Sequence, residues 1–271
     1  MPELPEVETV KNGLLKKVKN KKITNCKVLY NGIIAYPTPK EFIKNIENQT
    51  IQDIKRRGKF LVFHLDDYYL ISHLRMEGKY FIKEPTEELN KHDHVVFTLD
   101  NKEELRYNDT RKFGKMHLVK KDELDITPIS KLGLEPWDES LTKEYLKNKL
   151  NKKKAIKTLL LDQSIITGIG NIYADEILFM SKINPETYGQ NLTNDNLENI
   201  INNTKIVLEK AIKAGGTTIH TYTAVDGITG RFQQELLVHG KKDELCPECQ
   251  TKIIKIVVNT RGTYYCPNCQ K

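Results

Sequence analysis

Four cysteines near the C-terminus constrain this chain most. Cys246-Pro-Glu-Cys249 and Cys266-Pro-Asn-Cys269 are two Cys-x-x-Cys pairs with sixteen residues between them. A pair spaced this way can grip one ion from a tight turn, and two pairs complete the tetrahedron of soft ligands that a structural zinc takes. The run Ile253 to Val258, the segment Asn259-Thr-Arg-Gly262 and the run Thr263 to Tyr265 give strand, turn and strand, which would fold the pairs together. The competing assignment is four ordinary cysteines, free or paired in two disulfides. The ribbon-like spacing and the absence of secretory character argue against it. Cys26, the fifth cysteine, lies in a strand-like stretch and is expected as a buried thiol.

A length of 271 residues suits two domains, each able to bury its own core. Lys and Arg number 43 against 36 acidic residues, a net charge of +7. A solvated basic surface explains that excess; so does a polyanionic partner such as nucleic acid. The clusters Lys55-Arg56-Arg57-Gly58-Lys59, Lys152-Lys153-Lys154 and Lys241-Lys242 are dispersed and could line one groove after folding. No apolar run reaches membrane-spanning length, and the acidic, proline-rich N-terminus is unlike a signal peptide. An intracellular, reducing location is expected.

Val7, Val10, Leu14 and Val18 fall on one helical stripe, with Pro2 and Pro5 before or at its start, where proline is tolerated. Strand candidates follow: residues 60–65 and 68–73 around Asp66-Asp67, 95–99 and 104–107 around Asp100-Asn101, and 116–119. Residues up to about 130 therefore form a mainly antiparallel β domain. The segment 130–140, with Gly133, Pro136 and Trp137, is expected to be a linker. Helical periodicity takes over in 156–180, broken by Thr167-Gly-Ile-Gly170, and in 192–214, where Gly215-Gly216 ends it.

Gly168-Ile-Gly-Asn171 has two explanations. A helix starting near Asn171, a favoured N-cap residue, could offer free amides to a phosphate. A plain glycine turn between helices fits equally well. The second candidate is the N-terminus: if Met1 is removed, Pro2 presents a secondary amine beside Glu3 and Glu6. A model α-amino group has a pKa of about 8 against roughly 10.4 for lysine, so much more of it is unprotonated at neutral pH. Such an amine can attack carbon and form an imine, while a carboxyl moves the protons. Most N-terminal prolines do nothing of the kind, so these residues need further support.

That support is a resemblance. Pro2-Glu-Leu-Pro-Glu-Val-Glu-Thr9 resembles the N-terminus of the bacterial formamidopyrimidine-DNA glycosylases. Arg56-Arg-Gly-Lys-Phe-Leu61, His73-Leu-Arg-Met-Glu-Gly78, Lys91-His-Asp-His94, Asp109-Thr-Arg-Lys-Phe-Gly114, Gly168-Ile-Gly-Asn-Ile-Tyr-Ala174 and the closing ribbon continue it in order over essentially the whole length.

The resemblance implies an α+β chain. An antiparallel β-sandwich domain with an N-terminal helix spans 1–130, a linker 131–140, a helix-two-turns-helix DNA-binding domain 141–240 and a zinc ribbon 241–271. It implies a base-excision glycosylase and abasic-site lyase acting on duplex DNA that carries oxidised purines. Pro2 would be the nucleophile on C1′ and Glu3 the proton carrier. Lys59 would assist at the lesion and in β-elimination, and Arg261 in δ-elimination. His73, His92, Lys152 and Asn171 would contact DNA; for Lys152 the neighbouring lysines blur the alignment. Met76, Arg111 and Phe113 would fill the gap left by an everted nucleotide, with core packing as the plain alternative for Met76 and Phe113. Cys246, Cys249, Cys266 and Cys269 would hold one structural Zn2+. The segment 216–223 resembles the loop that caps the lesion, and His239 stands where family members usually have tyrosine. A monomer in the bacterial cytoplasm, with no membrane attachment, follows from the same family. Competing functions are an endonuclease VIII-like glycosylase of oxidised pyrimidines and a non-catalytic zinc-ribbon DNA-binding protein.

Overall fold

The computed structural model describes residues 1–217 and 230–271. The chain divides into two compact units, Met1–Lys131 with Gly215–Gly230, and Leu132–Ala214 with Arg231–Lys271.

In the first unit, helix α1 (Leu4–Val18) buries the expected stripe completely: Val7, Leu14 and Val18 have no exposed surface. Pro5 sits in its first turn, where a missing amide leaves no helical bond unmade. Nine strands follow: β1 (Ile23–Val28), β2 (Ile34–Tyr36), β3 (Asp53–Arg57), β4 (Phe60–His64), β5 (Tyr68–His73), β6 (Lys79–Lys83), β7 (Asp93–Leu99), β8 (Glu104–Asn108) and β9 (Lys115–Lys120). The short helix α2 (Pro39–Ile46) lies between β2 and β3, capped by Thr38 and Glu41.

The strands form two sheets, β1-β7-β8-β6 and β2-β9-β5-β4-β3, antiparallel throughout except for the β2–β9 pair. Leu61, Phe63 and Leu70 of one sheet share a core with Val95, Phe97 and Leu105 of the other, joined by the α1 stripe and by Phe42 and Ile46. This is the expected β-sandwich. Val62, Ile71 and Val119 point to the other face of the five-stranded sheet, where Leu124 and Ile129 cover them. Residues 60–63 are consequently apolar on both faces and carry no clean alternation.

The second unit contains α3 (Lys143–Leu150), α4 (Ile156–Leu160), α5 (Asn171–Met180), α6 (Asn194–Lys213) and the hairpin β10 (Ile254–Val258)–β11 (Arg261–Tyr265). Thr193 and Asn196 cap α6 reciprocally, and Leu197, Ile200, Leu208 and Ala211 form its buried face. The hairpin does not stand apart. Ile253, Cys246 and Cys266 cluster with Phe179 of α5 and with Val238, so the ribbon draws its small core from the helical unit. The described residues Gly215–Thr217 and Gly230 group with the β unit. Among the described residues no helix is long and apolar enough to cross a membrane.

Candidate functional site

Pro2 and Glu3 immediately precede α1 and both are buried, whereas Met1 is exposed. Their backbone is fixed by Glu6. One Glu6 carboxylate oxygen accepts the Glu3 amide at 2.8 Å. The other accepts the amide and hydroxyl of Thr217 at 2.8 and 3.1 Å. Gly216, at φ 81°, permits this approach: a Cβ there would lie 2.7 Å from Glu6 Oε1. Glu6 therefore ties the head of α1 to residues 216–217. The sequence hinted at it only through its spacing from Glu3, the spacing of a capping box. Beyond Thr217, the expected lesion-capping segment lies outside the described residues.

Lys59 occupies the two-residue turn between β3 and β4, after Gly58 at φ 56°, and is only 6% exposed. Arg56 holds this turn against α1: its Nε meets Glu8 Oε2 at 2.8 Å, and its Nη1 donates to the Gly58 carbonyl at 3.0 Å. Arg56 is thus committed to an internal pair, which removes it from the basic groove that the cluster suggested. His73 faces Phe60 across the ladder, ring edge to ring face at 4.4 Å. Its Nδ1 accepts the Arg75 amide at 2.9 Å. Burial, with the nearby charges of Arg75 and Lys59, pushes its pKa down to about 3, so the ring is neutral with its proton on Nε2. A ring 8% exposed can offer DNA no more than an edge.

Two loops complete this face of the first unit. Met76 sits half-buried in the β5–β6 turn, after Arg75 at φ 53°. Arg111 and Phe113 are exposed on the β8–β9 loop, with the guanidinium 4.7 Å from the ring centroid. Phe113 is therefore not the core residue that the plain alternative allowed. The buried Asp109 carboxylate shapes this loop, accepting the Arg111 amide at 3.0 Å and the Gly114 amide at 2.8 Å. Both loops close over the ring of Tyr107. A Cβ on Gly114 would come within 1.6 Å of its hydroxyl, and one on Gly78 within 2.3 Å. His92 is half-buried, and its carbonyl accepts the Asp109 amide at 3.0 Å. Sequence reasoning did not single out Asp109 or Tyr107, although Asn-Asp-Thr-Arg is a turn signal.

In the second unit, Lys152 is exposed, and its carbonyl accepts the Gln190 amide. Asn171 is not the helix cap. Gly170 takes that position, and the freed Asn171 side chain donates to the Gly262 carbonyl at 3.0 Å. The glycine turn thus serves a contact with the ribbon. Arg261 is exposed at the hairpin tip, just after Asn259 and Thr260 at φ 45° and 66°. His239 Nδ1 bonds Asp175 at 2.7 Å.

The four ribbon sulfurs all lie within 4.8 Å of one another. Cys249 and Cys266 are 3.4 Å apart, and Cys246 and Cys269 3.8 Å. Four thiolates held at about 2.3 Å from one zinc lie about 3.8 Å from each other, so the tetrad fits the ion. All five cysteines are free, which removes the disulfide alternative. Cys26 stands by itself, its thiol pushed up to about 12 by burial and the nearby Glu47 charge.

A β-sandwich with an enclosed Pro-Glu head, joined in one chain to a helical unit with a thiolate-held ribbon, defines a zinc-containing enzyme of DNA repair. Residues 1–116 match the formamidopyrimidine-DNA glycosylase N-terminal domain, 132–223 its H2TH domain, and 243–271 a zinc finger found in FPG and IleRS. The formamidopyrimidine-DNA glycosylase of Shouchella clausii is 50% identical, covering 100% of this chain and 99% of its own. That of Bacillus subtilis is 48% identical over the same shares. A Lactococcus lactis Fpg in complex with abasic-site DNA superposes with a TM-score of 0.92 at 41% identity, covering 99% of each chain. An FPG mutant of that organism bound to Fapy-dG DNA gives 0.93 at 41%, covering 100% of each. The chain belongs to the formamidopyrimidine-DNA glycosylase family and is a base-excision glycosylase and abasic-site lyase with one structural zinc.

Proposed function

We propose that the enzyme excises 8-oxoguanine and ring-opened purines through an imine on Pro2, then cuts the strand by β- and δ-elimination. The Pro2 nitrogen, freed by removal of Met1, attacks C1′ of an everted nucleotide. The bond from C1′ to the base breaks, and the departing base takes a proton. Glu3 carries protons during base loss and opening of the sugar ring, which yields the iminium. Loss of a C2′ proton then expels the 3′ phosphate, with Lys59 assisting. A second elimination, assisted by Arg261, expels the 5′ phosphate.

The observation that carries this reading is the enclosure of Pro2 and Glu3 at the head of α1. The helix that presents them also anchors the Lys59 turn through Glu8 and Arg56. Enclosure keeps water from the nucleophile and strengthens electrostatic interactions around it. Phe113 and Arg111, already stacked on each other, offer a ring to the gap in the base stack and a guanidinium to the orphaned partner base. Met76 adds a flexible thioether. His73, His92, Lys152 and Asn171 serve DNA binding, His73 through its remaining edge. The proposed working form is a monomer in the bacterial cytoplasm, associated with the nucleoid while it scans duplex DNA, as the family resemblance implies.

The test is excision from otherwise identical duplexes carrying 8-oxoguanine opposite cytosine or thymine glycol. Preferential release of 8-oxoguanine is expected. Preference for thymine glycol would move the chain to the endonuclease VIII-like reading.

A further inference from the structure

We propose that Asp175 is the positioning residue for Arg261, acting through Lys157 and the backbone of β11; this deepens the reading above and rests on the role given there to Arg261. The Asp175 carboxylate is buried in α5 and has three partners. Its Oδ1 meets Lys157 Nζ at 2.6 Å, and its Oδ2 meets His239 Nδ1 at 2.7 Å and accepts the Tyr264 amide at 3.2 Å. Lys157, on α4, is equally enclosed at 1% exposure and also donates to the Gly262 carbonyl at 3.1 Å. Asn171, one turn before Asp175, donates to that same carbonyl at 3.0 Å. The backbone on the C-terminal side of Arg261 is thus gripped at Gly262 and again at Tyr264.

Arg261 needs such a grip. The two residues before it adopt left-handed φ values without being glycine, a turn that local preference does not favour. Its side chain makes no hydrogen bond or ion pair among the described residues, so nothing but its backbone directs it. The neighbouring carboxylate, Glu176, accepts the amides of Leu237, Val238 and His239 at 2.8–3.0 Å and so holds the His239 ring against Asp175. The two adjacent acids fasten α5 to both strands of chain that approach it from the ribbon side. Asn171 and Arg261 then belong to one rigid piece, which presents a side chain to DNA from each of its ends. In a site where a small misplacement can cost a large factor in rate, loss of this hold falls on the step that uses Arg261.

The experiment uses the full-length, zinc-loaded protein and a duplex with a preformed abasic site. Asp175→Asn leaves Lys157 buried without its anion, which endangers the fold. Lys157→Met/Asp175→Asn removes both charges and serves as the second variant. Zinc content, borohydride trapping and the ratio of δ- to β-elimination product are measured for each. Zinc and trapping are expected near the wild-type level, while the δ-to-β ratio falls about tenfold. A wild-type ratio in the zinc-replete double variant would overturn the proposal. So would a parallel loss of trapping, which would make Asp175 a general stabiliser. If the wild-type enzyme itself gave no trapped adduct, the function reading would fail instead. The clamp would then be judged by amide exchange at Tyr264, where faster exchange in the double variant supports it and unchanged exchange refutes it.

Discussion

Replacing Asp109 with alanine tests how the β8–β9 loop is held. The carboxylate has no exposed surface, and its two oxygens accept the amides of Arg111 and Gly114 at 3.0 and 2.8 Å. Alanine leaves both donors without an acceptor. An unsatisfied buried donor costs roughly 1–3 kcal/mol. Gly114 is buried and bears the full cost, while Arg111 can recruit water, so the sum is about 2–4 kcal/mol. If the loop opens locally instead of the domain unfolding, the closed form is disfavoured by that energy relative to the wild type. Excision at sub-saturating substrate then falls by up to about 30- to 800-fold, the full factor applying where the wild-type loop closes with little margin, because only the closed form presents Arg111 and Phe113 to the stack. The assay is single-turnover release of 8-oxoguanine, paired with urea denaturation to divide the loss between local and global opening. Wild-type excision together with a denaturation midpoint unchanged within error would refute the reasoning.

Gly114→Ala should damage the same loop by another route, since its new methyl would come within 1.6 Å of the Tyr107 hydroxyl; a loss of several kcal/mol, on the order of severe overpacking, should appear in thermal denaturation. Cys249→Ser removes one corner of the zinc tetrahedron, so metal analysis should find the ion lost and DNA affinity should fall with it. The depressed pKa of His73 makes stability pH-dependent with a definite sign. The unfolded ring takes a proton below about pH 6.5 while the folded ring stays neutral down to about 3, so its contribution is complete above the first value. Below it, stability should fall by about 1.4 kcal/mol per pH unit in denaturant titrations, and His73→Gln should flatten that slope.

Local chemistry was the most legible part of the sequence. The ribbon tetrad is encoded in ligand spacing, and the α1 stripe and the hairpin at Asp66-Asp67 are encoded in periodicity and turn residues, each within a few positions of the chain. Function was legible through several short motifs in order. What escaped was set by distance. The parallel β2–β9 pairing joins residues far apart in sequence, and α2 is too short to display a period. Buried charge escaped for a related reason: Arg56 was grouped with a basic surface cluster, and Lys157, Asp175 and Glu176 went unremarked, yet each is enclosed by partners contributed by distant segments. Asn171 looked like a cap because its type favours one, but the Gly262 carbonyl competes for its side chain.

The central claim is that Pro2 forms the covalent link to DNA. Borohydride reduction of the enzyme acting on an 8-oxoguanine duplex, followed by mass mapping of the crosslinked peptide, addresses it directly. The account predicts a stable adduct on the N-terminal peptide, with Met1 absent and the sugar remnant on the Pro2 nitrogen. An adduct on a lysine, or a mature chain that retains Met1 and still cleaves at full rate, would contradict it.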